Sequence, residues 1–152
     1  MKVRKIVMFG SPISVNKLYR PQVLRSQKTG KSYHGRVVTS KGKIWKLQVK
    51  DAYFLKYRDQ EPLTGPLAIQ ITYYFPDRRW RDVTNYDKPI LDALVGLAYK
   101  DDSQIVTAIL HKAVDPASPR TEIRIVKVTM EEHNESMGII RSVLFFGNIP
   151  RM

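Results

Sequence analysis

Apolar and polar positions along this chain change their period from one stretch to the next, and the changes mark out its elements. Residues 5–9 form a short apolar run closed by Gly10-Ser11-Pro12, which predicts a buried strand ending in a turn. Residues 16–42 are rich in Lys, Arg, Ser, Thr, Gly and Tyr with little periodicity, and read as a long basic loop with a strand at 36–39. Residues 43–58 read as a helix, with Ile44, Leu47, Val49, Ala52, Phe54 and Leu55 as apolar positions and Lys43, Lys46, Lys50 and Lys56 as a basic side. After the turn Leu63-Thr64-Gly65-Pro66, residues 67–75 alternate with period two and stop at Pro76, the pattern of a strand.

Residues 85–98 predict a second helix. Residues 104–114 are apolar on both faces, which predicts a central strand, and 121–130 predicts a strand returning from it as a hairpin. The acidic stretch 131–135 interrupts the pattern, and 139–146 resumes it as either helix or strand. No internal repeat or linker divides the chain. The expected architecture is α+β: one small domain over 1–152, a mixed β-sheet of about four strands packed against two main helices.

Composition narrows the chemistry. The 152 residues include no cysteine, which excludes disulfides, zinc–thiolate sites, iron–sulfur clusters and thiol nucleophiles. The three histidines, His34, His111 and His133, lack a metal-ligand spacing, so any metal is expected to be a hard cation on carboxylates. The net charge of +12 is uneven: residues 1–60 hold fifteen Lys/Arg against Asp51 and Asp59, while residues 61–152 hold eleven basic and twelve acidic side chains. Such asymmetry points to a polyanion, nucleic acid before membrane. Lys17, Arg20, Arg25, Lys28, Lys31 and Arg36 are the expected phosphate contacts of the basic part. Tyr19, Tyr33 and Trp45, interleaved with them, are either base-stacking residues or core aromatics.

The start of the chain is broken by Gly10, Ser11 and Pro12 and lacks a signal-peptide run, and the apolar stretch 138–147 is too short to span a bilayer. The expectation is a cytoplasmic, soluble intracellular protein with no membrane partner.

The chemically informative segment is 77–105. At 100° per residue, Asn85, Lys88 and Asp92 fall within about 60° of one another on its helix, beside an apolar stripe of Tyr86, Ile90, Ala93, Leu94 and Leu97. Asp82 precedes the helix and Asp101-Asp102 follow it. If the fold gathers these carboxylates next to Lys88, they make a Mg²⁺ site for phosphodiester hydrolysis, with Lys88 stabilising charge on the phosphate. Arg78, Arg79 and Arg81 would hold flanking phosphates. Plainer readings exist for each: a polar turn at 101–103, a capping box of Thr84 with Asp87, and a surface ion pair of Lys88 with Asp92.

Taken together, Arg81, Asp82, Asn85, Lys88, Asp92-Ala93-Leu94 and Gly96, followed by Asp101-Asp102 and Gln104-Ile105, resemble the RusA-type crossover-junction (Holliday junction) endodeoxyribonucleases. Weaker similarity extends to residues 12–16, 39–54 and 119–125, whereas 139–152 lies outside it as a C-terminal extension. The resemblance implies a small α/β homodimer, bacterial or phage-encoded, that cuts branched DNA with Mg²⁺ (Mn²⁺ as substitute) in recombination and repair. It implies Asp82 and Asp102 as metal-binding catalytic acids, Lys88 as catalytic lysine, Asp101 as a neighbouring acid, and Asn85 with Asp92 as site-shaping residues. The best-known members carry D-x-D-N where this chain has Asp82-Val83-Thr84-Asn85, so Thr84 replaces a carboxylate. Its hydroxyl is either a weaker metal ligand, a holder of metal-bound water, or a helix cap. Two rival classes are a non-catalytic or metal-impaired nucleic-acid-binding module of the same fold and a basic membrane-surface protein.

Overall fold

The run Leu67–Phe75 is apolar or aromatic at nearly every position, so as a strand it must be covered on both faces. The computed structural model, which describes residues 3–129, places it accordingly at the centre of a four-stranded mixed sheet. In chain order the elements are β1 (Val3–Phe9), α1 (Val15–Leu18), β2 (Tyr19–Arg25), β3 (Ser32–Val38), α2 (Ser40–Tyr57), β4 (Leu67–Phe75), α3 (Asp87–Leu94), β5 (Ile105–Val114) and β6 (Arg120–Lys127). The sheet order is β1-β6-β4-β5, with β4 parallel to β5 and antiparallel to β6, and β1 antiparallel to β6; β2 and β3 pair only with each other. This is the expected α+β domain with a four-stranded mixed sheet and two main helices.

The register lines up Ile6, Ile123, Ile71 and Leu110 in one row across all four strands. On that face Ile69, Ile71, Tyr73, Ile123 and Ile125 pack against Trp45, Val49 and Tyr53 of α2 and Ile90, Ala93 and Leu94 of α3. Each fully buried Ile or Leu contributes about 1.5–3 kcal/mol over exposure, against about 0–1 kcal/mol for a surface ion pair, so this layer and not the surface charge holds the fold. The opposite face carries a smaller apolar group of Ala68, Val126 and Val128.

Several expectations change. The stretch 16–42 is not a loop: after α1 it forms the β2–β3 hairpin, whose turn is tied by Ser26 N–H to Lys31 O (2.9 Å) and Gly30 N–H to Ser26 O (2.9 Å). Residues 104–114 are an edge strand, not the central one, and 120–127 is not its hairpin partner, because β4 lies between the two. Helix α3 is shorter than 85–98. Pro89 has no N–H to give to the carbonyl of Asn85, so the helix cannot start there, and Gly96 at φ +76 ends it. Helix α2 buries Gly42, Trp45, Val49 and Tyr53, whereas Ile44, Leu47, Phe54 and Leu55 are exposed. Trp45 is therefore a core residue, Tyr19 packs half-buried against the core, and Tyr33 is exposed. The stretches 131–135 and 139–146 lie outside the described residues.

The hairpin is joined to the body at one tight point. Thr39 caps α2 by accepting from Gly42 N–H (3.0 Å), and its own N–H donates to Leu18 O (2.9 Å). A Cβ at Gly42 would lie 2.5 Å from that same Leu18 oxygen. Gly42→Ala is therefore expected to lower stability by about 1–3 kcal/mol, the usual penalty of forced overpacking, and to raise hydrogen exchange at Leu18 and Thr39. A thermal melt and exchange profile equal to wild type would show that the contact relaxes freely.

Candidate active site

A parallel neighbour cannot be reached by a tight turn, so the chain between β4 and β5 crosses over through residues 76–104. That crossover is the informative segment of the sequence. Its first part is a clamped loop. Arg81 donates to Asp77 Oδ1 (2.7 Å) and to the carbonyls of Asp77 and Arg79 (both 3.3 Å), and its guanidinium lies 4.6 Å from the Phe75 ring centroid. The Arg81 hydrogen bond, helped by the Arg79 N–H, holds the Asp77 carboxyl down at about 2. A depressed carboxylate keeps its partner above its ordinary range, so the clamp persists through neutral and mildly acidic pH and is lost only as pH falls through about 2. Of the three arginines expected on DNA, Arg78 and Arg79 are exposed, while Arg81 is half-buried and committed to the loop.

Asp82 follows directly. It is exposed, and its Oδ1 accepts from Thr84 N–H (3.1 Å) and from the Thr84 hydroxyl (2.7 Å). These bonds, with the charge of Lys112, depress the Asp82 pKa and keep it ionised. Thr84 thus takes up neither the capping box with Asp87 nor a position apart from the acid: it donates to the carboxylate it follows. Lys112 was not expected. It sits opposite Tyr73 on β5, a register invisible in local sequence, and donates to Arg81 O (3.3 Å).

Helix α3 is then seated by Tyr86, whose ring packs on Phe75 (5.2 Å) and Tyr73 (5.6 Å). Lys88 is exposed and donates to Asp92 Oδ1 at 3.1 Å. This bond, then the charges of Asp92 and Asp102, raises the Lys88 pKa and keeps it cationic. Beneath it Tyr99 is buried and donates to Leu91 O (2.8 Å); burial first, then the fields of Asp102 and Asp92, raises its pKa. Lys88 and Asp92 are therefore paired on α3, and α1, at the root of the basic hairpin, packs against that helix. Asn85, in the 3₁₀ turn Val83–Asn85, is half-buried.

The Asp101-Asp102 pair divides its labour. Asp101 Oδ1 accepts from Ser103 N–H (2.9 Å), while the Gln104 side chain accepts from the N–H groups of Lys100 and Asp101 and donates to the carbonyls of Leu63 and Gly65. Asp101 thus caps a turn that Gln104 bolts to the segment before β4, leaving Asp102 exposed. Among the described residues, no three histidine or acidic side chains converge closely enough to hold a metal ion. Mg²⁺, however, commonly uses one or two carboxylates and completes its shell with water and substrate phosphate, so exposed Asp82 and Asp102 are donors of the right kind.

The six cations expected to bind phosphate, Lys17, Arg20, Arg25, Lys28, Lys31 and Arg36, are all exposed on α1 and the hairpin. Sequence reading passed over Trp80, whose side chain is 97% exposed beside Asp82. Its signal was present: a tryptophan inside an arginine run, after Pro76 had ended the strand.

An exposed basic hairpin, carboxylates and an ammonium on one crossover are the equipment of a protein that works on a phosphodiester backbone. The family model for Endodeoxyribonuclease RusA matches residues 19–126, and the chain belongs to that family. It is an endodeoxyribonuclease of the crossover-junction resolvase type, a class acting on branched DNA. Among curated proteins, none matches the chain. Among the described residues no helix is long and apolar enough to cross a membrane.

Thr84 gives a direct check on the local electrostatics. Its hydroxyl favours the ionised form of Asp82, so Thr84→Val is expected to move the Asp82 titration upward, toward the ordinary carboxylate value. Carbon-13 NMR of the Asp82 carboxyl reads the shift, and coincident titration curves would show the bond to be unimportant.

Proposed function

We propose that this endodeoxyribonuclease resolves four-way DNA junctions by Mg²⁺-dependent hydrolysis, as a homodimer acting inside the cell in recombination and repair. The observation that carries the reading is the position of Lys88: paired with Asp92 on the crossover helix that Asp82 precedes and Asp102 follows, with α1 at the root of the basic hairpin packed against that helix. A phosphodiester led in along the hairpin cations arrives at an ammonium flanked by acids.

Asp82 and Asp102 are the proposed metal-holding acids, with Asp101 supporting Asp102 through its turn. A bound Mg²⁺ supplies Lewis-acid polarisation of the phosphate and an activated water. The remaining work belongs to side chains of the chain itself. The Lys88–Asp92 pair is exposed, and such a pair contributes only about 0–1 kcal/mol, so a phosphate can draw the ammonium away from Asp92. Lys88 then stabilises charge that builds on the transferring phosphate. Arg78 and Arg79 hold adjacent phosphates, while Arg81 keeps the loop in shape. Asp92 positions Lys88 on α3, and Asn85 shapes the 3₁₀ turn that joins Asp82 to that helix. Two copies related by a twofold axis would set two such sites against the symmetric strands of a junction.

A synthetic four-way junction incubated with Mg²⁺ is expected to give paired symmetric nicks, and none in EDTA. Asp82→Asn and Asp102→Asn are each expected to reduce cleavage by at least about 100-fold while junction binding stays equal or tightens, because negative charge facing DNA is removed. Cleavage retained by either variant would remove that acid from the site.

Binding by the hairpin makes a separate expectation. Replacing Arg25, Lys28, Lys31 and Arg36 by Gln should weaken binding to all DNA substrates alike. It should also flatten the plot of log affinity against log salt by about 0.9 for each phosphate that is no longer neutralised. An unchanged slope would exclude the hairpin from the DNA footprint.

A further inference from the structure

Among the described residues Trp80 is the most exposed of the large apolar ones, at 97%, although it lies two residues from Asp82 and immediately before the clamped Arg81. Leaving an indole in water forgoes the largest burial gain any side chain offers, and nothing in the fold requires it at this place. The loop beneath it is nevertheless fixed. Asp77 is held by the Arg79 N–H (3.0 Å) and the Arg81 guanidinium, and Arg81 is stacked on Phe75. The ring is therefore presented from a rigid platform. Its surroundings are cationic: Lys112 Nζ lies 5.7 Å from its centroid, and exposed Arg78 and Arg79 precede it in the chain.

A flat apolar ring with a lysine at it and exposed arginines next to it in the chain is poorly suited to burial against another protein, since those cations would lose water. It is well suited to a nucleobase, which offers a π-face to the ring and brings phosphates to the cations. In an intact duplex the base faces are already stacked on one another. They become available where stacking is interrupted, as at the centre of a branched junction.

Resting on the reading of the site as one that binds branched DNA, we propose that Trp80 is a specificity-determining residue that stacks on a base exposed at the branch point. It thereby sets the scissile phosphate against Asp82 and gives the enzyme its preference for junctions over linear duplex. The cations recognise the backbone of both substrates; the indole distinguishes them.

The chain contains two tryptophans, and Trp45 is buried in the core, so a change in emission on DNA binding reports Trp80. Titration with a four-way junction is expected to quench that emission, and titration with linear duplex of the same length is not. Trp80→Ala should bind the junction about tenfold more weakly with little change for duplex, and Trp80→Phe should restore most of the preference, as stacking by a smaller ring would. Because the Trp80 side chain is almost wholly in solvent, Trp80→Ala should melt as wild type does. A wild-type preference for the junction that survives Trp80→Ala overturns the stacking role and leaves the proposed function intact. Equal wild-type affinity for junction and duplex also overturns the stacking role, whereas the proposed function falls only if the junction is not cleaved. Loss of self-association in Trp80→Ala, read by sedimentation, with an unchanged junction-to-duplex ratio, places the ring in a protein interface and also overturns the stacking role.

Discussion

Parallel pairing of β4 with β5 is the constraint from which the site follows. Two strands side by side in the same direction need a return path across the sheet, and here that path is residues 76–104. Its helix must bury Ile90, Ala93 and Leu94 on the sheet to complete the core, which fixes its rotation. With that face turned inward, Lys88 and Asp92 are carried outward. The polar groups of the candidate site are thus placed by apolar contacts a few residues away, on a helix that is only eight residues long. Short as it is, it is held at both ends, by the Tyr86 ring on Phe75 and Tyr73 and by the Tyr99 hydroxyl on Leu91.

Much of this was legible in the sequence because it is local. The strand Leu67–Phe75 shows its limits through alternation and Pro76, and the crossover shows its polar residues in one contiguous run. What was not legible depends on partners distant in the chain. Residues 105–114 are apolar on both sides, which from sequence alone suits a central strand; only the register shows them at the edge. Lys112 reaches Arg81 through the same register. Among the described residues Arg4 is buried without an acidic partner: its Nη groups donate to the Tyr53 hydroxyl and to the carbonyls of Glu61 and Ala98 and it lies over the rings of Tyr53 and Tyr57, while its Nε has no hydrogen-bond partner. No local pattern announces such a residue.

The doublet Asp101-Asp102 shows how motif reading compresses two kinds of information. The two acids look alike in sequence and both are exposed, yet Asp101 is committed to a capping box with Gln104 whereas Asp102 is the first residue of the turn it caps. The pair Asp82 and Thr84 works similarly, since the threonine serves the carboxylate beside it. A motif written as a run of polar residues therefore records both the groups that act and the groups that hold them, and the hydrogen bonds are what separate the two.

Among the described residues the hairpin β2–β3 pairs with no other strand, so its outer edges carry backbone N–H and C=O groups outside any sheet ladder. Open strand edges invite another chain to add itself, and a fringe of positive charge is a common means of preventing that. Arg20, Arg25, Lys28, Lys31 and Arg36 line this ribbon, so its own charge works against copies of the protein zipping together. Solubility is therefore written into the same side chains that give the hairpin its charge. Shedding these cations would expose a sticky edge, and a crowded pool of the protein relies on them to stay apart.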